Sequence, residues 1–327
     1  GYDITAGEEN SYIQGTFGPG GAVTDPVDGP FGAAGSQVFP GFTPESAGDN
    51  SRHNYSFYVD LEADVVENWN VAVAGRYEDY SDFGSTFNWK MSHRVTLSDA
   101  FALRASVSTG FRAPSLQQQF FTSIATVFVD GEPTETGTFA PSSDVAQALG
   151  SPGLDPEESN NYSAGFTYSP TADFNLTVDF YRIDIDDRIV LSNNLSGDAI
   201  EALLEGTGAN RARFFLNAIN SRTEGVDIVS TYTLNTSDYG AFNFNAGMNF
   251  NDNEVTDILD APDVLQNAGF DQDNLFSDVE LRRFETSSPD SKLNLGVTWN
   301  YDRYTTTLRT TRSVSYTHLR AHETDRY

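Results

Sequence analysis

The sequence predicts an all-β protein whose antiparallel strands form a transmembrane β-barrel. Three observations support this prediction: apolar residues recur with a period of two, the alternating runs are about 9–13 residues long, and short connections alternate with long ones. Alternation alone would also fit a soluble β-sandwich, but soluble strands more often have about 5–6 residues. Short turns at one end of the strands and long loops at the other are typical of outer-membrane barrels.

The composition excludes several classes of function. The 327 residues include 19 basic and 47 acidic side chains, which give a net charge of −28. Because nucleic-acid binding needs a basic face that neutralises phosphates, we expect no nucleic-acid partner. Cysteine is absent, so disulfides and thiolate metal sites are excluded. Aromatic residues make up 13% of a chain whose mean hydropathy is −0.41, and this enrichment favours β-structure.

The alternating runs follow one another along the chain. In the first of them, at 55–65, Tyr55 and Phe57 alternate with Ser56 and Tyr58, which indicates a strand with one apolar and one polar face. The same pattern predicts further strands at 86–97, 101–108, 174–180, 226–234, 242–250 and 293–299.

The connections between these strands alternate in length. Short turns are expected near 66–69, 98–100, 169–173, 235–240 and 300–303, and long loops at 17–53, 110–158, 187–213 and 252–290. Only the link at 80–85 breaks this rule. The loops are acidic: residues 251–290 carry eleven acids against two arginines, a net charge of −9.

Short helices are predicted within the long loops from their capping residues. Asp198 is expected to cap a helix at 199–205, with Glu201 completing a capping box. Two further helices are expected from Ser142-Ser143 to Gly150 and from Pro262 to Gly269.

Aromatic residues cluster at the ends of the predicted strands. Two belts of rings are expected where a barrel meets the two membrane interfaces. The rings near the short turns are Trp69, Phe101, Tyr168, Phe174, Phe242, Tyr301 and Tyr304, and those toward the long loops are Tyr55, Phe57, Tyr77 and Phe87.

Five segments resemble signatures of the TonB-dependent outer-membrane receptors and occur in that family's order. They are RYEDYSDFGST (76–86), GFRAPSLQQQF (110–120), LDPEESNNYSAGF (154–166), DFYRIDIDDRI (179–189) and NAINSRTEGVDI (217–228). The resemblance implies a barrel of about 22 strands around a plug domain, of which about 11–12 strands lie in this chain. The plug and the TonB box would lie upstream. Residues 1–312 are thus predicted to be a partial barrel, whereas 313–327 resemble translated adaptor sequence and are predicted to be a non-native tail.

The resemblance also implies a function and a location. The chain would form the wall and ligand-capture loops of a monomeric receptor in the bacterial outer membrane, without a cofactor or enzymatic activity. Its partners would be outer-membrane lipid, TonB through the upstream plug, and a siderophore, cobalamin, haem or oligosaccharide ligand. Acidic loops repel an anionic ferric complex, so a neutral ligand or an oligosaccharide stands beside siderophores. The alternatives are a passive substrate-specific channel and a secreted acidic β-sandwich that binds carbohydrate.

Candidate site residues are identified from the alternation of side chains between the two faces of each strand and from the composition of the loops. The sequence has no GxSxG, Walker A or HExxH motif, so no catalytic residue is expected. His318 and His322 have a metal-like spacing, but they lie in the suspected tail and no metal site is expected. Phe120, Phe121 and Phe128 either form a ligand platform or pack their loop against itself.

Charged side chains on the predicted inner wall form the second group of candidates. They pair with one another along the wall, contact the plug, or do both, and the family resemblance points to Arg112 for the plug contact. The lumen-lining candidates are Arg76, Glu78, Lys90, Arg94, Arg104 and Arg112.

Overall fold

The computed structural model describes residues 2–4, 23–25, 29–31, 48–129 and 132–315. Residues 316–327 of the suspected tail at 313–327, with His318 and His322, lie outside the described residues, as does most of the predicted loop at 17–53. Ser313 and Val314 belong to the last described strand. Four short strands precede the main sheet. They pair as β1 (Tyr2–Ile4) with β4 (Gly48–Asn50) and as β2 (Val23–Asp25) with β3 (Gly29–Phe31).

One open sheet of 12 strands makes up most of the described chain. Ten of its strands form an antiparallel meander, the wall, in the order β5-β6-β7-β8-β11-β12-β13-β14-β15-β16, which matches the predicted single sheet rather than two packed sheets. Among the described residues β5 and β16 each have one unpaired edge. The strands are β5 (Asn54–Val66), β6 (Trp69–Tyr80), β7 (Gly84–Ser98), β8 (Phe101–Arg112), β9 (Ser123–Val129), β10 (Glu132–Phe139), β11 (Glu157–Thr171), β12 (Phe174–Leu191), β13 (Arg211–Thr236), β14 (Gly240–Ile258), β15 (Ser291–Tyr301) and β16 (Tyr304–Val314).

The connections have the predicted alternation in length. Two or three residues join strand pairs at the turn end of the wall, for example between β5 and β6, and the long loops lie at the opposite, loop end. The exception at 80–85 is a tight turn at the loop end. The remaining strands, β9 and β10, form a loop hairpin in which β10 pairs in parallel with the start of β13. That parallel pairing links two separate loops.

The strand register divides the wall into two faces. Residues paired across antiparallel strands share a face, so Val178, Ile228, Met248 and Leu293 form one row of the apolar face. The adjacent residues point to the other side, the polar face, which carries Arg104. The predicted parity of the strands is therefore confirmed.

A continuous aromatic belt crosses the apolar face at the turn end. Neighbouring ring centroids from β8 to β15 lie 5.5–6.5 Å apart. The members are Phe101, Phe166, Tyr168, Phe174, Tyr232, Phe242, Phe244, Trp299 and Tyr301. At the loop end Phe57, Tyr77 and Phe87 occupy one cross-strand row, and all three rings are strongly exposed. Both predicted groups of rings thus lie on the apolar face.

The buried hydrophobic core lies among the loops, not in the wall. Side chains from 139–149, 190–219 and 261–276 form a single cluster, the loop core, around Phe214, Leu149 and Leu204, each at most 2% exposed. The loop helices are α1 (Leu116–Phe120), α2 (Asp144–Ala148), α3 (Asp198–Leu203), α4 (Asp263–Asn267), α5 (Gln272–Leu275) and α6 (Asp278–Thr286). None of the helices in the described ranges is long and apolar enough to cross a membrane.

Two of the three predicted helix starts are confirmed and one capping residue is wrong. Ser143 caps α2 through the Ala146 amide, and α4 begins after Pro262. For α3 the N-cap is Gly197, at φ +116°, and it makes no side-chain cap hydrogen bond. Because that left-handed backbone places Asp198 inside the first turn, its carboxylate can favour the helix dipole but cannot cap the helix.

Candidate functional site

Three ion pairs hold six charged side chains on the polar face. In the first, Arg76 donates to Glu78 at 2.8 Å, and Glu78 is 4% exposed. Glu78 also accepts hydrogen bonds from Asn54 and Tyr80. A buried carboxylate needs such donors to offset its lost hydration, so Glu78 is fixed in place near the loop end.

The second pair joins two strands that are not neighbours. Arg104 on β8 reaches across β11 and donates from Nε to Asp179 on β12 at 2.7 Å. The intervening residue on β11 is Gly165, and a Cβ there would collide with Asp179. The absence of a side chain at this position is what allows the ion pair to cross.

The third pair accounts for Arg112, the residue singled out by family resemblance. Arg112 donates from Nε to Glu157 at 2.7 Å, and Glu157 also accepts the Ile189 amide at 2.7 Å. Glu157 is 6% exposed, and the pair joins the last residue of β8 to the first residue of β11. Nearby, burial lowers the pKa of Arg188, whose guanidinium lies 5.0 Å from the Phe284 ring on α6.

Lys90 and Arg94 complete the set of predicted wall residues. Both lie on β7 with polar-face register partners, Ser108 and Arg104 respectively. Within the described part of the chain neither makes an ion pair. Four of the six predicted residues are therefore neutralised by the wall itself, and Lys90 and Arg94 remain available to a further partner.

Arg52, which the sequence analysis did not identify, joins two of the motifs. Its guanidinium binds Asp82 in a bidentate pair, with Nε–Oδ1 and Nη2–Oδ2 distances of 3.0 and 2.7 Å, and donates to the Pro114 carbonyl at 2.6 Å. The same group lies over the rings of Tyr80 and Phe83, at 5.8 and 5.1 Å. The 76–86 and 110–120 segments are thus held together at the loop end.

Electrostatics at this junction favour the charged form of Asp82. Burial raises its pKa, but hydrogen bonds from Arg52 and Gln119 lower it by more. The net result is a pKa below the ordinary value of 3.8. Asp82 therefore stays ionised through the neutral range.

Arg211 and Arg213 form a second feature that sequence reasoning missed. Along 211–216 the residues alternate: Ala212, Phe214 and Leu216 are buried in the loop core, and the arginines point to the other side. Arg213 donates to Thr138 on β10 at 2.8 Å, and burial lowers its pKa. The signal in the sequence is RARFFL (211–216), where two arginines alternate with apolar residues. The high negative charge of the neighbouring loops made these two basic residues easy to overlook.

A buried hydroxyl lies beside this pair of arginines. Thr136 is the register partner of Arg211 and is 3% exposed. Its Oγ1 has no hydrogen-bond partner among the described residues. Two guanidinium groups and a buried hydroxyl on one face of a strand pair suit an anionic oxygen ligand.

The three predicted loop aromatics belong to two neighbouring elements. Phe120 ends α1 and Phe121 follows it, and both rings are partly buried. Phe128 lies on β9, and its side chain is outside the described residues. A ligand platform at these rings therefore stays a prediction.

No metal centre is assembled in the described ranges, where no three acidic or histidine side chains converge in a way that could hold an ion. The acidic segment DQDN at 271–274 starts a helix. Asp271 accepts the Asn274 amide at 3.0 Å and forms a capping box for α5. Its carboxylate serves the fold of the loop.

Comparison with known sequences identifies relatives. The family model described as "TonB dependent receptor-like, beta-barrel" matches residues 1–326. The ferric enterobactin receptor PirA of Pseudomonas aeruginosa is 26% identical over 209 residues, which cover 63% of this chain and 26% of that receptor. The probable TonB-dependent siderophore receptor PirA of Acinetobacter baumannii is 27% identical over 147 residues, which cover 43% and 18%. The chain thus spans about a quarter or less of the length of these curated relatives.

Solved structures share the fold at low identity. The siderophore receptor PirA from Pseudomonas aeruginosa superposes with a TM-score of 0.54 at 17% identity, covering 82% of this chain and 41% of that one. The ferric enterobactin receptor PfeA in complex with BCV-L6 gives 0.54 at 16% identity, covering 94% and 37%. Likeness at this level concerns the arrangement of the strands alone.

Proposed function

Because the chain belongs to the TonB-dependent receptor-like β-barrel family, whose members are outer-membrane proteins, we propose that it supplies wall and capture loops to a receptor that imports a nutrient with energy from TonB. The apolar face with its aromatic belts contacts lipid, and the polar face lines the lumen. The observation that carries the proposal is the folded loop core at one end of this wall. A rigid loop cluster above a lumen is a place to capture a ligand before transport, which a passive channel does not need.

The proposed ligand is an anionic ferric siderophore. Two curated relatives are named as siderophore receptors. The arginine pair Arg211 and Arg213 offers a local positive surface within acidic loops. Salt screens the repulsion from the acidic side chains beyond about 8–10 Å, so the attraction of the two nearby arginines outweighs it. Cobalamin, haem and oligosaccharides have no comparable feature in the described loops.

The proposed partners follow from the polar face. Lys90 and Arg94, together with the paired Arg76, Glu78, Arg104 and Arg112, form the wall that a plug domain contacts. TonB acts through that plug. The receptor works as a monomer in outer-membrane lipid, without a cofactor and without a chemical reaction.

The test is binding of ferric enterobactin to cells that carry the full-length receptor. Replacing both Arg211 and Arg213 by alanine removes the two charge-assisted contacts, and we expect affinity to fall at least about tenfold, since each such contact is worth about 1.5–3 kcal/mol. Arg303→Ala, at the turn end of the wall, is the matched control and should bind normally. Binding that is unchanged in the double variant would refute the siderophore site, and absence of TonB-dependent uptake in the wild type would refute the receptor function.

A further inference from the structure

The polar face of β13–β16 has a different chemistry from the rest of the wall. Amide and hydroxyl side chains dominate it, and we call this surface the amide lane; its chief members are Asn243, Asn245, Asn249, Asn251, Asn294 and Asn300. Charged side chains on the same surface are Asp227, Lys292 and Arg309. The lane is therefore mainly neutral in a chain with a net charge of −28.

Hydrogen bonds between lane residues form a ladder along β14. Asn251 donates to Asn249 at 2.9 Å, and Asn249 donates to Asp227 at 2.8 Å. Farther toward the turn end Thr233 donates to Asn243 at 3.0 Å, and on the next strands Thr305 donates to Asn300 at 2.9 Å. Asn249 also donates to Tyr181, and Asn251 also donates to the Pro289 carbonyl, so the two amides at the centre of the ladder use both of their N–H groups within the protein. Asn243 and Asn300 accept a hydroxyl hydrogen, which leaves their N–H groups for a further partner among the described residues or in the lumen.

Glycines let the long side chains of the lane lie flat. A Cβ at Gly296 would meet the Asn245 side chain, which therefore lies across the glycine. The ring of Tyr181 crosses Gly225 in the same way. Side chains that lie along the wall leave the space in front of them open.

The sector of the polar face at the other end of the sheet, β5–β8, also carries charges of both signs that make no ion pair within the described residues. Lys90 and Arg94 stand on β7, and β5 carries the exposed acids Asp60, Glu62 and Asp64 on the same face. Because these side chains make no ion pairs with one another, each would bind an oppositely charged group of the ligand tightly. A moving ligand would be trapped there, because transport needs sites that are numerous but weak.

The lane and the candidate capture site share strand β13. Strand β13 runs without interruption from Arg211 in the loops to Thr236 at the turn end. From Asn253 to Asn243 the lane extends roughly 33 Å along β14, at about 3.3 Å per residue. Arg213 lies ten residues, roughly 33 Å, before Thr223, the first β13 residue of the lane, so the strand leads from the loop arginines to the lane.

We propose that the transported ligand moves through the lumen along the amide lane of β13–β16, and not along β5–β8. The lane offers its oxygens and amide N–H groups as a series of weak hydrogen bonds to a solute rich in polar oxygen. The proposal rests on the proposed uptake function, which it deepens by naming the side of the lumen that is used.

The first test needs no ligand. Asn251 and Ser92 belong to one cross-strand row, which runs through Ser106, Ser163, Tyr181 and Gly225. In the full-length receptor each is replaced in turn by cysteine, and a membrane-impermeant neutral maleimide is added from outside. We expect Asn251→Cys to react at least about tenfold faster than Ser92→Cys. Equal reaction rates, or a faster reaction at Ser92→Cys, would contradict the proposed path along the lane.

The second test uses radioactive ferric enterobactin as the probe. Asn251→Arg places a charge in the lane and should slow uptake about tenfold with surface binding unchanged, whereas Ser92→Arg should stay within about twofold of the wild type. The amount of each variant in outer-membrane fractions controls for folding. Equal slowing in both arginine variants would contradict the proposal. If the proposed uptake function is wrong, the wild type will show no TonB-dependent uptake. The maleimide reaction rates would still test whether the lane is the accessible side of the lumen.

Discussion

Gly165 and Gly247 both lie on the polar face, but their surroundings differ. A Cβ at Gly165 would collide with the Val178 carbonyl and come within 2.9 Å of the Asp179 Cα, whereas nothing lies within 4 Å of a Cβ at Gly247. We expect Gly165→Ala to destabilise the barrel by about 1–3 kcal/mol through overpacking, and Gly247→Ala to leave it unchanged. Heat-induced mobility shifts of the full-length receptor measure both, and equal melting would contradict the role of Gly165 in the Arg104 pair.

The junction at Asp82 predicts a dependence on pH. A carboxylate whose pKa is lower in the folded protein contributes stability above its unfolded pKa of about 3.8, and this contribution is lost as the pH falls through the folded value. We expect Asp82→Asn to cost about 1–2 kcal/mol at pH 7, because the paired side chain is only 16% exposed. The difference from the wild type should shrink below pH ~4. A constant difference from pH 7 to 3, measured by thermal unfolding, would show that the charge of Asp82 is not involved.

At the scale of single residues, period-two alternation was sufficient to assign faces. Arg104 and Arg112 both lie on the polar face as predicted, because strand parity is a local property. The partner of Arg52 is 30 residues away at Asp82, and no local pattern specifies such a pair. For the same reason Glu78 was identified as a candidate but its burial was not.

Among the elements, α3 presents two adjacent leucines in opposite environments. Leu204 is 2% exposed in the loop core and Leu203 is 41% exposed. We expect Leu204→Ala to cost about 2–5 kcal/mol and so to speed proteolysis of the loops in intact cells about thirtyfold or more, while Leu203→Ala has little effect. If the two variants are cut at the same rate, the loops do not share a cooperative core.

Some features of the helices and strands could be predicted from the sequence and others could not. Helix starts at Ser143 and Pro262 were predictable because capping is decided within one turn. The cap at Asp198 was wrong because the backbone at Gly197, not the side chain, sets that start. The parallel pairing of β10 with β13 was not anticipated, since it depends on contacts between separate loops.

For the whole molecule, adjacent residues of β13 test which face meets lipid. Ile228 pairs with Val178 and Met248 on the apolar face, and Val229 pairs with Thr177 and Gly247 on the polar face. We expect Ile228→Arg to destabilise the barrel by about 2–4 kcal/mol, the cost of a charge at the bilayer midplane, and Val229→Arg to be tolerated. The measurement is the amount of folded receptor in outer-membrane fractions. If more Ile228→Arg than Val229→Arg is folded, the face that carries Val229 is the one that meets lipid.

The shared loop core has a consequence for how such receptors can diversify. Its apolar side chains come from three insertions between consecutive wall strands, around Leu149, Leu204 and Leu265. Exchanging one insertion for that of a relative would leave the other two without their packing partners. Chimaeras with a new cargo preference should therefore succeed only when all three insertions are transplanted as a set, and recombination within this part of the gene should favour breakpoints that keep them together.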